Sequence, residues 1–185
     1  YLRLKTFHLS QETLYPKLET QVAGINLPNP IGLAAGFDKN AVAIRSISNL
    51  GFGFLEVGAV TPEPQSGNPK PRVFRLKSEK AIVNNYGFNN DGMLKINHRL
   101  KKFKKKSIIG LNIGANKNSL NMANDFTKVL QHCAENIDFA TINISSPNTN
   151  QLRNFQQKDK LNNLLFLITE TRRNLSNPIP IFIKI

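Results

Sequence analysis

Phe139-Ala-Thr-Ile-Asn-Ile-Ser-Ser-Pro-Asn-Thr149 is the stretch on which the fold turns. Phe139 to Ile144 is β-rich and mostly apolar, the composition of a buried strand. Its C-terminal end is crowded by Asn143, Ser145, Ser146, Asn148 and Thr149, and Pro147 stops the strand. Ser, Asn and Pro are also what ordinary turns contain. A buried strand that ends in neutral hydrogen-bonding groups packs poorly but can hold a small polar molecule. Both readings stand on this segment alone.

Working outward, the pattern repeats. Strand candidates are Pro30 to Ala35, Phe54 to Gly58, Ser107 to Ile113, Phe139 to Ile144 and Ile179 to Ile185. Helical spacing of apolar residues runs between them over Asn40 to Leu50, Asp91 to Phe103, Ser119 to Glu135 and Lys158 to Asn174. Strands alternating with helices give successive βα units and a parallel sheet, and these strands read as apolar on both faces. Val73 to Leu76 and Ala81 to Asn84, joined by Lys77 to Lys80, form an extra hairpin on the loop after the second strand. An open doubly wound sheet can end at the fifth strand. A closed eight-stranded barrel needs about 250 residues.

The chain has 185 residues, enough for one domain with a real core. It has no run of apolar residues long enough for a transmembrane helix. Tyr1-Leu-Arg-Leu-Lys-Thr6 lacks the apolar core of a signal peptide, and without an initial Met it reads as a cut rather than a true start. The single Cys133 can form no internal disulfide, which suits a reducing compartment. The net charge of +13 fits nucleic acid, an anionic lipid surface or an anionic substrate. Its densest block, Lys101 to Lys106, follows a helical pattern and reads as a solvated helix end. Only Phe103 is interleaved there to stack a base. A basic nucleic-acid-binding protein remains the rival from another class, but it leaves the strand ends unexplained.

In βα folds, ligands gather at the C-terminal ends of the strands. Those positions hold Ala34-Ala-Gly-Phe-Asp-Lys-Asn40, Gly58-Ala-Val-Thr-Pro62, Asn84-Asn-Tyr-Gly-Phe-Asn-Asn90, Asn112 to Lys117, and Asn143 with Ser146 and Asn148. The fifth strand carries Lys184, which inside a buried strand requires a partner. There is no metal-spaced cluster, no Walker A sequence and no G-x-G-x-x-G. His8, His98 and His132 fall at no strand end and read as surface or helix residues. Converging lysines, asparagines and one serine suit a planar amide-rich ring plus a carboxylate, with an organic cofactor supplying the hard chemistry.

Five motifs in order resemble one family. Gly32-Leu-Ala-Ala-Gly-Phe-Asp-Lys-Asn40, Glu56-Val-Gly-Ala-Val-Thr-Pro62, Gly67-Asn-Pro-Lys-Pro-Arg-Val-Phe-Arg-Leu76, Asn84 to Asn90 and Asn143 to Thr149 are similar to dihydroorotate dehydrogenase of the quinone-dependent class 2. The resemblance runs from about Val22 to Ile185. It implies an α/β fold, a TIM-type (β/α)8 barrel with FMN at its mouth, of which this chain holds strands one to five plus the extra hairpin. Residues 1–21 would be the tail of an N-terminal helical region, visible in Phe7 to Leu14, and residues 22–185 an incomplete barrel.

The resemblance also implies the reaction. Dihydroorotate becomes orotate in pyrimidine biosynthesis. Ser146, as base, removes the C5 proton, a hydride leaves C6 for FMN, and a membrane quinone, ubiquinone or menaquinone, takes the electrons. Ala35, Gly36, Phe37, Asp38, Lys39, Ala59, Asn112, Asn143 and Lys184 would contact FMN. Lys39, Asn84, Asn85, Tyr86, Gly87, Phe88, Asn143 and Asn148 would contact substrate, with Asn89 nearby. Thr149 would orient Ser146 or relay its proton, since a serine hydroxyl is a feeble base alone. No metal and no nucleic acid enter. Another FMN-barrel oxidoreductase is the alternative within enzymes. The implied location is the membrane periphery, on the cytoplasmic face of a bacterial inner membrane, with the mitochondrial inner membrane as alternative.

Cysteine replaces this serine as base in the class 1 enzymes; Cys133 lies in a helical pattern, away from that role. Ala41 stands where the family commonly has Gly, and Ala115 where Lys is common. The resemblance places a second substrate-binding Asn-Thr pair and the FMN phosphate site beyond Ile185. The 185 residues alone are therefore expected to bind FMN poorly and to be inactive.

Overall fold

The computed structural model describes residues 16–103, 107–149 and 151–185. Phe7 to Leu14, His8 and the end of the lysine block lie outside the described residues. After a short 3-10 turn at Pro16–Leu18, strands β1 (Thr20–Val22) and β2 (Ile25–Leu27) pair antiparallel. This hairpin was not expected, and the boundary drawn between residues 21 and 22 falls inside its first strand. Its turn needs two left-handed residues in a row, Ala23 (φ 49°) and Gly24 (φ 81°), the geometry that matches the twist of a tight hairpin.

Five parallel strands follow: β3 (Gly32–Leu33), β4 (Phe54–Val60), then, after an antiparallel hairpin of β5 (Val73–Leu76) and β6 (Ala81–Asn84), β7 (Ile108–Ile113), β8 (Phe139–Asn143) and β9 (Ile181–Lys184). The sheet order is β3-β4-β7-β8-β9, every neighbour parallel. The strands follow one another without reversal. A doubly wound sheet reverses its order at a switch point; this one winds in one sense, as a barrel wall does.

Among the described residues four helices return the chain: α1 (Ile44–Ile47), α2 (Gly92–Lys102), α3 (Met122–Cys133) and α4 (Lys158–Arg173). The sequence pattern for α3 holds from Met122 on, but Leu120, expected on its apolar face, is fully exposed ahead of the helix. Ala123, Phe126, Val129, Leu130 and Cys133 are buried at helical spacing, and the Asn121 side chain caps it by accepting from the Asn124 N–H at 3.1 Å. Neighbouring α2, α3 and α4 pack on one another, so they share one side of the sheet. Leu55, Val57, Ile109, Leu111, Ala140 and Ile142 meet them as the core.

α1 is shorter than the expected Asn40 to Leu50. The Asp38 carboxylate, itself 6 % exposed, accepts from the Val42 N–H at 2.9 Å and the Ala43 N–H at 2.8 Å. Ala41 lies between with φ 56°, so the chain turns here before the helix begins.

The other face of the sheet corrects the expectation of strands apolar on both sides. Its lower layer is aromatic: Phe139 meets Phe54 edge-on at 5.8 Å and Phe182 at 5.4 Å. Glycines make room for the rings. A Cβ on Gly110 would stand 2.1 Å from the Phe139 ring, and one on Gly32 2.1 Å from that of Phe54. Above the rings the same strands carry Glu56, Asn112, Thr141, Asn143 and Lys184. Side chains on a strand alternate faces, so one inward row changes from rings to polar groups as it approaches the strand ends.

Candidate active site

A cleft of about 480 Å³ opens at those ends, lined by Ala35, Gly36, Lys39, Ala59, Asn84, Tyr86, Gly87, Phe88, Asn112, Asn143, Ser145, Ser146, Pro147, Asn148 and Lys184. Most of the residues expected to contact cofactor or substrate therefore meet in one place. A larger hollow of about 710 Å³ lies on the outer side of the Pro62 to Gly67 loop. Of the residues expected to contact cofactor or substrate it holds only Gly87.

Four expected residues are not on the lining. Asp38 spends its carboxylate on α1. Phe37 is 68 % exposed and stands beside the cleft. Asn85 is exposed, and its side chain accepts from Asn68 Nδ2 at 2.7 Å. Thr149 is buried at 3 % exposure, and its Oγ1 has no hydrogen-bond partner.

Bulging at the end of β4, between Gly58 and Val60, sets the floor. Gly58 has φ 119°, and a Cβ there would come 2.5 Å from the Asn112 carbonyl oxygen. The Gly36 N–H donates to the Gly58 carbonyl at 2.9 Å. Ala35, Gly36 and Ala59 thus form a ledge of small residues.

On the far wall, Ser146 Oγ accepts the Asn148 N–H at 3.2 Å. That contact leaves the hydroxyl hydrogen free to move and favours negative charge on the oxygen. Asn148 Nδ2 in turn reaches the Asn84 carbonyl at 3.4 Å, which joins the serine loop to the hairpin end. Lys39 is half-buried, and its pKa is lowered first by burial and then by the charge of Arg72. No carboxylate lines the cleft among the described residues, so the two lysines face it without an anion of the protein.

Several supports were not legible in sequence. Asn90 Nδ2 donates to Thr61 Oγ1 and to the Phe88 carbonyl, both at 2.8 Å, while its Oδ1 accepts from the Gly92 N–H at 2.8 Å. Gln65 Nε2 donates to the carbonyls of Gly87 and Phe88 at 3.1 Å, and Asn116 Nδ2 donates to Gln65 Oε1 at 2.9 Å. These amides hold the Tyr86 to Phe88 loop from behind. Glu56 and Ser145 were named in the motifs but given no role: Asn112 Nδ2 donates to Glu56 Oε1 at 2.7 Å, and Lys184 Nζ donates to Ser145 Oγ at 3.1 Å. Lys184 has the partner it needs, although on β9, a sheet edge among the described residues, it is exposed rather than buried. Cys133 is fully buried in α3, and burial pushes its thiol up to about 12. His98 and His132 are exposed on helices, and no group of His, Cys, Asp and Glu able to hold a metal occurs among the described residues.

Comparison with known proteins agrees with this geometry. The family model for dihydroorotate dehydrogenase matches residues 17–185. A dihydroorotate dehydrogenase (quinone) from Cereibacter sphaeroides is 51 % identical over 171 residues, covering 92 % of this chain and 48 % of the relative. One from Bartonella tribocorum is 48 % identical over 179 residues, covering 95 % and 50 %. A crystal structure of DHODH from Eimeria tenella in complex with ferulenol matches with a TM-score of 0.88 at 35 % identity, covering 95 % of this chain and 54 % of that one. The chain spans about half the length of the curated relatives it matches. Its five-stranded sheet is part of a (β/α)8 barrel, and the chain belongs to the dihydroorotate dehydrogenase family, beside the members named for quinone.

Proposed function

We propose that the protein carrying this chain oxidises dihydroorotate to orotate in pyrimidine biosynthesis, with FMN as cofactor and a quinone as electron acceptor. The observation that carries it is the meeting of Ser146, Asn84, Asn143, Asn148 and Lys39 in one cleft. Lys39 meets the carboxylate of the substrate. The asparagines meet the amide edges of its ring. Ser146 Oγ takes the C5 proton as its own hydroxyl proton leaves for solvent, and the Asn148 N–H steadies the negative charge that develops on the oxygen between the two transfers. Thr149, three residues on and with a buried hydroxyl that has no hydrogen-bond partner, would have to turn toward Ser146 to orient it or relay its proton.

The residues fit FMN. A Cβ at Gly36 would meet only Lys39 Nζ, at 4.0 Å, so the ledge of Ala35, Gly36 and Ala59 is open to a flat ring. Asn112, Asn143 and Lys184 offer donors and an acceptor beside it, and Phe37 borders it. FMN, when bound, supplies the two-electron oxidising power that no side chain here has.

The hairpin of β5 and β6 supports the quinone and membrane assignment. Phe74, Leu76, Ile82 and Val83 are all exposed on it, a surface that suits an apolar partner. No helix among the described residues is long and apolar enough to cross a membrane. The curated relatives named above are bacterial, which favours peripheral attachment at the cytoplasmic face of the inner membrane over the mitochondrial alternative.

The test is anaerobic flavin absorbance of the full-length enzyme on adding dihydroorotate, then quinone. Bleaching and reoxidation are expected, with Ser146→Ala slowing bleaching by about 10²- to 10⁴-fold while retaining flavin. A flavin that does not bleach discards the substrate. An undiminished rate in Ser146→Ala discards the base.

A further inference from the structure

A single chain of hydrogen bonds crosses the floor of the cleft from one charge to another. Lys184 Nζ donates to Ser145 Oγ at 3.1 Å, and Ser145 Oγ donates to Asn143 Oδ1 at 2.9 Å. Asn143 Nδ2 donates to Asn112 Oδ1 at 2.9 Å, and Asn112 Nδ2 donates to Glu56 Oε1 at 2.7 Å. It runs from β9 through the loop after β8 and across β8 and β7 to β4. The strands bring its members near one another: Asn143 stands opposite Lys184, Asn112 opposite Thr141, and Glu56 opposite Gly110, each within two residues of the next member along its strand.

The direction of this chain is fixed at its ends. An ammonium can only donate, and an ionised carboxylate can only accept. Each group between them can do either, so the ends decide. Were Asn112 to turn its amide over, its carbonyl would face the Glu56 carboxylate and its NH2 would face the NH2 of Asn143. Asn112 is 1 % exposed and Asn143 8 %, so water cannot relieve that clash. Asn143 Oδ1 is further committed by the Ser145 N–H at 3.2 Å.

The polarity decides what the cleft presents. Each asparagine has spent one N–H on the chain and keeps the other, in a known place, for a ligand. Glu56 itself is not on the cleft lining. It lies one layer down, among Phe54, Phe139, Thr141 and Phe182, and reaches the ligand only through Asn112. We propose that Glu56 is a positioning residue of the cofactor site: its carboxylate sets the direction of the chain and thereby the donor pattern that Asn112, Asn143 and Lys184 show to the flavin. This rests on the reading of the cleft as an FMN site.

Glu56→Gln tests it, because glutamine keeps the shape but can donate as well as accept, so the chain loses its imposed direction. FMN is titrated into flavin-stripped full-length protein and followed by flavin fluorescence and absorbance. The expected result is a dissociation constant raised about 10- to 100-fold, the loss of one charge-assisted hydrogen bond's worth of affinity, with a shifted flavin absorption band. Glu56→Asp, which keeps the charge, recovers part of both. Ser145→Ala, which cuts the chain at its other end, weakens FMN as well, and the double variant loses less than the two singles added. The melting temperature of the flavin-free variants shows whether folding itself has failed. Unchanged affinity and spectrum in Glu56→Gln, or strict additivity with Ser145→Ala, overturns the role. Wild-type protein that takes up no FMN overturns the cofactor reading and this role with it.

Discussion

The ammonium of Lys39 sits 4.7 Å from the centre of the Tyr86 ring. Arg72 stands 5.7 Å from the same ring and donates to the carbonyls of Ser66 at 2.6 Å and Asn68 at 3.0 Å. The lysine thus rests against an aromatic face, near a second cation, with no anion beside it among the described residues. Its charged form is the costly one while the cleft holds no ligand, which is why burial first and Arg72 second lower its pKa.

That arrangement predicts opposite effects on binding and on stability. Lys39→Met should weaken orotate at least about 100-fold, the cost of leaving a buried carboxylate unpaired. The melting temperature of the ligand-free enzyme should not fall, because a costly charge is removed. The pH dependence follows with its sign. A lysine whose folded pKa is lowered binds fewer protons than the unfolded chain between the two values, so its contribution to stability rises with pH across that window. Orotate affinity moves the other way, declining once pH passes the lowered pKa, earlier than for an ordinary lysine. Calorimetric titration of orotate across pH checks the affinity, and denaturant unfolding of the ligand-free protein across the same pH values checks the stability. Orotate affinity unchanged in Lys39→Met removes the lysine from the substrate site.

A second prediction comes from the aromatic layer. Gly110 and Phe139 share one volume: a Cβ on the glycine would enter the ring. Gly110→Ala should cost about 1–3 kcal/mol by overpacking. Combined with Phe139→Leu, the loss should be less than the sum of the singles, since the smaller side chain vacates that space. Denaturant unfolding of the four proteins measures the cycle, and simple additivity would show that the ring is free to move aside.

How much of this was legible depended on whether the cause was local. Strands β4, β7 and β8 and helices α2, α3 and α4 came within a few residues of expectation, because burial between helices and sheet imposes runs and spacings that a sequence displays. The hairpin of β5 and β6 was read to the residue. Its apolar strands flank a short charged link. α1 was overread because a side chain outside it, Asp38, decides where it starts. The strand-end cleft was legible because βα topology dictates where loops meet. Glu56, Ser145, Gln65 and Asn116 were not, since their roles arise from hydrogen bonds between distant strands, as between Glu56 and Asn112. Nothing near Glu56 in sequence announces its partner.

Ala41 gives the last prediction, and it turns on a balance of small terms. Its backbone has φ 56°, a left-handed conformation that costs a residue with a Cβ about 1–2 kcal/mol. Glycine relieves that cost. Ala41 is also buried at 7 % exposure, so removing its methyl loses about 0.8 kcal/mol of burial. Glycine further loosens the unfolded chain by about 0.5–1 kcal/mol. These terms nearly cancel, and Ala41→Gly should change stability by less than about 1 kcal/mol. Ala41→Val has no such compensation. A β-branched residue tolerates positive φ least, and the neighbouring Val42 and Ala43 N–H groups are pinned by Asp38, so the turn cannot relax. Ala41→Val should therefore lose more than about 2 kcal/mol, and loosen the Gly36 to Lys39 loop that borders the cleft. Thermal unfolding of both variants decides it: a valine tolerated as well as glycine would mean that the turn at Ala41 is not held left-handed in solution.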